Sequence, residues 1–136
     1  MIKVNELRKH EDKGARYQNG DGITLEAIKK RITLIAERHA IPVAFLNDQV
    51  KSGGLFNSSV EDCLVVYHPD HQNDYVKFCI RVTRQGRYAF VEVDEFGHSK
   101  QLYKADYAVL GRSERKLREE QMYYACVLDV FDETFR

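Results

Sequence analysis

The sequence predicts an α+β protein, in which an antiparallel sheet of about four strands over residues 63 to 103 packs with one helix from each end of the chain. Three observations lead to this prediction. Apolar and polar residues alternate along residues 75 to 83, which is the period of a half-buried strand. Apolar residues recur at helical spacing in residues 24–39, and a second helical pattern covers residues 113–132.

The first element with a clear pattern is the helix over residues 24–39. Residues 1–22 before it are polar and end in Asn-Gly-Asp-Gly, so we predict a polar arm followed by one domain, residues 23–136. Thr24 is a suitable N-cap, and the apolar stripe that follows predicts a buried helix face. His39 falls in the last turn, where an imidazolium favours the helix dipole, and Pro42 ends the helix.

The sheet begins with the apolar run from Cys63 to Tyr67, which is typical of a strand covered on both faces. A hairpin follows, with its turn predicted at Gln85-Gly86. This turn gathers the aliphatic residues on one face and leaves one favourable charge pair. The predicted opposite pairs are Val82 with Ala89, Ile80 with Val91, Phe78 with Val93, and Lys77 with Asp94.

A second turn at Phe96-Gly97 leads into a further strand around Leu102. With this register, the other face of the sheet carries one guanidinium and three aromatic rings, and we take it as the candidate binding surface. Its residues are Arg81, Tyr88, Phe90 and Tyr103. Three explanations are open for it: cover by another layer of the same chain, an interface with a second subunit or partner, or a platform for a flat ligand or nucleic acid.

The last helix is predicted to start at a Ser113 cap and to run to about residue 132. Its second half, residues 122–131, is apolar on almost every side, so we predict that it is buried on more than one side. This stretch and the aromatic sheet face both need cover, while only one other helix is predicted. We therefore expect self-association, with a two-fold dimer as the simplest closed arrangement.

The composition narrows the class of function. Lys plus Arg and Asp plus Glu are both 21, so the formal net charge is zero and a dedicated electrostatic binder of nucleic acid or membrane is disfavoured. Three cysteines cannot all pair within the chain, which favours a reducing compartment. No apolar signal region and no uncharged apolar run of about 18 residues occurs. We expect a cytoplasmic protein without a membrane partner.

No catalytic residue, metal ligand or cofactor is predicted. His68-Pro69-Asp70-His71 is the densest group of possible metal ligands, but ligands so close in sequence rarely converge on one ion, and Pro-Asp is an ordinary turn former. Cys63 and His68 are a conceivable nucleophile and base, yet their odd spacing puts them on opposite faces of a strand. The cysteines at 79 and 126 are expected to be buried thiols.

The order helix, strands, helix resembles the double-stranded RNA-binding domain in topology alone. Basic residues at the start of the last helix lie near the place where that domain meets phosphates, although glutamates dilute them. They are Arg112, Arg115, Lys116 and Arg118. The leading hypothesis is a non-catalytic binding or assembly module, the alternative is an RNA- or small-ligand-binding domain, and the third is a metal-dependent enzyme.

Overall fold

The structure, a computed structural model, describes residues 1–9, 14–97 and 114–136. The α+β class is confirmed, because runs of strands in one sheet are separated from two helices along these residues. The strands are β1 (Ile2–Lys3), β2 (Arg8–Lys9), β3 (Ala15–Tyr17), β4 (Ala44–Ser52), β5 (Ser59–Tyr67), β6 (Val76–Gln85) and β7 (Tyr88–Gly97). The helices are α1 (Leu25–Arg38) and α2 (Glu114–Thr134), and a short 3-10 turn, Val4–Glu6, joins β1 to β2.

The strands form one mixed sheet in the order β1-β4-β5-β6-β7-β2, and β3 also pairs with β7. β1 runs parallel to β4, whereas every other pairing is antiparallel. The prediction of an antiparallel sheet of about four strands is therefore imprecise, because the sheet has more strands and one of its pairings is parallel. The sequence did not predict β4, because Asn47, Asp48 and Gln49 interrupt its apolar pattern. Polar side chains of this kind are common on a strand near the edge of a sheet. The strand predicted around Leu102 lies outside the described residues.

Helix α1 agrees with its prediction. The Thr24 hydroxyl accepts a hydrogen bond from the backbone N–H of Ala27 at 3.1 Å, which is the expected N-cap. Ile28, Ile32 and Ile35 are buried along one face. His39 follows the last turn as the C-cap residue.

Helix α2 is amphipathic, contrary to the prediction that residues 122–131 are buried on more than one side. Met122 is 65% exposed, and Ala125 and Asp129 are also exposed. The buried face is made by the residues at helical spacing, and the sequence hid this because the outward positions include apolar residues. Those buried residues include Leu117, Tyr123, Val127, Val130 and Phe131. The predicted start at Ser113 lies outside the described residues.

The β6–β7 hairpin is shifted by two residues from the predicted register. Its turn is Gly86-Arg87, because Gln85 pairs with Tyr88. Gly86 has φ +56° and stands at the first turn position, where a type II′ turn needs a positive φ. A shift of two leaves every side chain on its predicted face. The observed opposite pairs are Val82 with Val91, Ile80 with Val93, Phe78 with Glu95, and Lys77 with Phe96.

The sheet has one core on each face. Both helices cover the first, where Ile32, Phe78, Ile80 and Phe131 are at most 1% exposed. The second is smaller and lies on the other face. It contains Ile2, Val50, Cys63, Val65, Cys79 and Phe96, with Leu7 packed against it.

The short N-terminal segment requires the sheet to curl. β1 lies at one edge beside β4, and β2 lies at the other edge beside β7. Six strand positions are five steps of about 4.8 Å, or about 24 Å across a flat sheet. The chain from Lys3 to Arg8 spans at most about 18 Å when fully extended. Residues 3–8, which we call the N-terminal strap, therefore cross a concave face, and the helices cover the convex one.

At one end, the sheet divides into two hairpin arms. Pairing between β5 and β6 is confined to residues 64–66 and 78–80, whereas β4–β5 and β6–β7 are paired along their whole length. Because β4 and β6 run in the same direction, both hairpin turns lie at this end. We call residues 48–63 the first arm and residues 81–92 the second arm.

Candidate functional site

Tyr88 and Phe90 lie side by side on the concave face of the second arm. Their ring centroids are 6.5 Å apart, and the ring planes differ by 26°. Tyr88 is 42% exposed and Phe90 is 39% exposed, which is high for large rings on a sheet. We call this pair the aromatic strip. Tyr103, the third ring of the predicted surface, lies outside the described residues.

Arg81 shares this face but is occupied by three carboxylates. Its guanidinium donates to Asp94 at 2.7 Å, to Glu61 at 3.0 Å and to Glu92 at 3.3 Å, and the side chain is 13% exposed. Burial lowers the pKa of Arg81, but the hydrogen bonds to Asp94 and Glu61 outweigh that effect and the net pKa is raised. Since Glu61 belongs to the first arm, Arg81 ties the two arms together.

Arg16 is an exposed guanidinium beside the aromatic strip. It lies opposite Phe90 in the β3–β7 ladder, so the two side chains share a face. Sequence reasoning missed it because β3 has only three residues and was counted as part of the polar arm. The alternation Ala15-Arg16-Tyr17 directly before a turn is the one signal that the sequence offered.

The concave face is only partly covered by the described residues. Leu7 of the N-terminal strap packs against the concave core, which includes Phe96 and Cys79. The exposed fractions of Tyr88 and Phe90 show that the described chain leaves the aromatic strip open to solvent. Within residues 1–9, 14–97 and 114–136, intrachain cover, one of the three explanations open from the sequence, reaches one part of this face and not the strip.

The most exposed apolar side chains stand at the end of the first arm. Leu55 is 97% exposed and Phe56 is 96% exposed. The loop that carries them is tightly closed: Gly53 has φ +85°, and a Cβ there would lie 2.0 Å from the carbonyl oxygen of Asn57. A 2.7 Å hydrogen bond joins the Ser52 and Ser59 hydroxyls at its base. We call residues 53–58 the Leu55–Phe56 loop.

The His68 to His71 segment has the predicted turn conformation. His71 stacks on Tyr75 with ring centroids 3.9 Å apart, and its Nδ1 lies 3.1 Å from Asp74 Oδ2. The His68 ring packs at 4.7 Å from both His71 and Tyr123. Burial and the neighbouring His71 lower the pKa of His68. Among the described residues, no group of three or more His, Cys, Asp or Glu side chains could hold a metal ion.

Cys63 and His68 are not brought together as nucleophile and base. Cys63 is 1% exposed in the concave core, whereas His68 packs on tyrosines of the core under the helices. The neighbour of Cys63 is Cys79, and a hydrogen bond between the thiols, together with burial, raises the pKa of Cys79. Two inaccessible thiols of this kind pack as small apolar side chains.

The basic start of α2 is largely neutralised by its own helix. Arg115 pairs with Glu119 at 3.1 Å, and Arg118 pairs with Glu114 at 3.1 Å. Both pairs have the i, i+4 spacing of solvated helix faces. Arg112 lies outside the described residues. These contacts weaken the comparison with phosphate-binding helices, because the two arginines already have carboxylate partners.

The ends of the two helices meet around Glu133. Its carboxylate accepts hydrogen bonds from Arg38 at 2.8 Å and lies 2.9 Å from His39 Nε2. The hydrogen bond from His39, followed by attraction to His39 and Arg38, lowers the pKa of Glu133. An open groove of about 460 Å³ beside this junction is lined by residues that include Ile41 and Cys126. The paired charges hold the helix ends together, as a C-terminal cap would.

No family model matches the chain, and no curated protein or solved structure matches it either. None of the helices in the described ranges is both long enough and apolar enough to cross a membrane.

Proposed function

We propose that the protein is a small non-catalytic binding or assembly module that self-associates through the aromatic strip. The observation that carries this proposal is the exposure of Tyr88 and Phe90, 42% and 39%, as a stacked pair on a regular strand. Aromatic side chains are enriched in the centres of protein interfaces, where they bury much area at little cost in conformational entropy. Self-association is the simplest way to remove both rings from water.

The rigid setting of the strip supports an interface role. Thr83 lies opposite Phe90 and Gln85 lies opposite Tyr88, so the rings stand on a paired hairpin whose backbone is fixed. Arg84, next to them in β6, donates to the carbonyl oxygen of Gly20 at 2.8 Å and also to that of Ile23. The second arm is therefore anchored to the segment before α1. A rigid surface loses less conformational entropy on association.

The test is the mass in solution at micromolar concentration, measured by light scattering after size exclusion. We expect a mass near twice the 15.9 kDa of one chain. Phe90→Glu should give the monomer mass, because it removes an apolar ring and adds a charge that is costly to bury even opposite Arg16. Leu34→Glu is the matched control, since Leu34 is 68% exposed on α1, away from the strip.

A wild-type mass near one chain, with Phe90→Glu leaving mass and thermal stability unchanged, would contradict the proposal. Circular dichroism of Phe90→Glu shows whether the variant is folded. If it is not, Tyr88→Ser is the substitute variant, because Tyr88 is the more exposed ring.

The second candidate is a binding domain for RNA or another flat ligand. Arg16 favours it, since an exposed guanidinium opposite Phe90 could meet a phosphate while a base stacks on the ring. Titration of fluorescent single-stranded RNA should then show binding that weakens with salt and is lost in Phe90→Ala and Arg16→Ala. Binding that survives both substitutions would eliminate this candidate. A metal-dependent enzyme remains the third hypothesis, with no observation that favours it.

A further inference from the structure

We infer that the Leu55–Phe56 loop docks on the aromatic strip of a second copy of this chain, so that two copies exchange identical contacts about a two-fold axis. This inference rests on the proposed function and adds to it the second surface of the interface. The loop presents two large apolar side chains almost entirely to water, which is costly unless they are buried elsewhere.

The loop stands on a fixed base. The Ser52–Ser59 hydrogen bond closes this base, and Gly53 lies so near the carbonyl oxygen of Asn57 that a Cβ would clash with it. The arm behind the loop is paired from Ala44 to Ser52 along its whole length. A loop held on a paired hairpin gives up less conformational entropy on binding than an unanchored segment does.

The two apolar features lie at the same end of the molecule. The sheet divides there into two arms, and the loop stands on the first arm while the strip stands on the second. In a two-fold dimer, if the loop of one copy contacts the strip of its partner, the loop of the partner also contacts the strip of the first copy. Two copies that meet end to end can therefore bury both loops and both strips at once.

Charge permits a second copy as the occupant. Residues 52–59 contain no Asp, Glu, Lys or Arg. When a surface meets its own copy, charges near the axis meet like charges, which is unfavourable. Because the docking loop is uncharged, it brings no like charge against Arg16, which lies opposite Phe90 beside the strip.

The apolar area that the two copies can bury sets the expected affinity of the dimer. Large aromatic side chains bury about 150 to 250 Å² each, and half of the strip is already buried, so two loops and two strips would remove about 1,000 Å² from water. That total lies just below the lower limit of stable specific interfaces, about 1,200 Å². We therefore expect a modest interface, with a dimer that forms at micromolar concentration and dissociates on dilution below it.

Mixing two defective variants tests the reciprocal exchange. The double variant Leu55→Ser/Phe56→Ser keeps its strip, and Phe90→Glu keeps its loop. A homodimer of either variant has no intact contact between a loop and a strip. We therefore expect the dissociation constant of that homodimer to be at least about 30-fold higher than that of the wild type, as for the loss of interface hot spots. An equal mixture restores one of the two contacts. We expect a heterodimer in the mixture at concentrations where either variant alone is monomeric.

The outcomes separate the inference from the proposed function. A wild-type chain that is monomeric at micromolar concentration overturns both. A wild-type dimer that survives Leu55→Ser/Phe56→Ser overturns the inference alone. Two monomeric variants that do not associate on mixing also overturn it, provided that circular dichroism shows both folded.

A tryptophan reporter gives an independent readout, because the chain contains no Trp. Phe56→Trp should emit at shorter wavelength in the dimer, and the shift should disappear on dilution and when Phe90→Glu is added to the same chain. Leu34→Trp, on an exposed face of α1, is the matched control and should show no such shift. A shift that appears only with phosphatidylcholine/phosphatidylserine vesicles would indicate a lipid surface and overturn the inference.

Discussion

The two faces of the sheet are covered in different ways. The convex face lies under two helices of 14 and 21 residues, and its core is mainly apolar, with Glu120 and Thr134 of α2 as buried polar side chains. The concave face is crossed by the N-terminal strap, residues 3–8, and Arg81 and Asp94 form an ion pair on this face. A helical layer can exclude water by packing alone. A narrow strap cannot, so the polar groups beneath it need partners.

The largest effect is expected on the convex face, with Phe78→Ala. Phe78 is 1% exposed and packs edge-on against Phe131, with ring centroids 5.1 Å apart. Removing the ring should reduce the free energy of unfolding by about 3 to 5 kcal/mol. Chemical denaturation measures this loss, and Leu34→Ala, on an exposed position, should change it by under about 0.5 kcal/mol. A loss below about 1 kcal/mol for Phe78→Ala would show that the helices do not pack here.

On the concave face, Asp94→Ala should reduce the free energy of unfolding by about 3 kcal/mol, somewhat less than Phe78→Ala. Asp94 is 2% exposed, and its removal leaves the largely buried Arg81 without its shortest hydrogen bond. Glu92 is the control, since it also pairs with Arg81 but has a side chain 50% exposed. Glu92→Ala should reduce the free energy of unfolding by under about 1 kcal/mol. Equal losses for the two variants would show that burial does not distinguish these carboxylates.

His68, at the rim of the convex core, should make the free energy of unfolding decrease at acidic pH. The pKa of His68 is lowered in the folded protein, so the unfolded chain takes up the proton first as the pH falls through 6.5. Stability from the neutral imidazole is present above that pH and is lost below it. His68→Gln should make the decrease in stability between pH 7 and 5 smaller, because the variant has no imidazole to protonate. Thermal unfolding at both pH values measures this difference, and an unchanged pH dependence would contradict the prediction.

The smallest effect concerns thiol chemistry and leaves stability unchanged. Cys63 and Cys79 are at most 1% exposed beneath the concave face, whereas Cys126 of α2 is partly exposed. A thiol-specific reagent should modify about one cysteine per folded chain and all three in denaturant. Rapid labelling of Cys63 in the folded protein would show that the strap opens readily.

The sequence predicted the convex side better than the concave side. The stripe of α1, its Thr24 cap and the alternation around Ile80 are local patterns, so they predict their faces directly. The register of the hairpin could not be fixed in this way, because a shift of two residues preserves the faces. Tyr88, Phe90 and Arg81 lie on the predicted face of the hairpin, but the sequence did not indicate that three carboxylates surround Arg81. Those carboxylates come from β5 and β7, and only the fold brings them together around Arg81.

The N-terminal strap also constrains the order of folding. Its residues are synthesised before β7, yet Arg8 pairs with Glu95 and the adjoining Lys9 with Asp94 in that strand. Bringing such distant segments together has a high entropic cost of loop closure, which slows folding. The strap pairing must therefore form after β7 is in place. Its backbone amides are then the first in the sheet to exchange with solvent, since opening them leaves the paired hairpins intact.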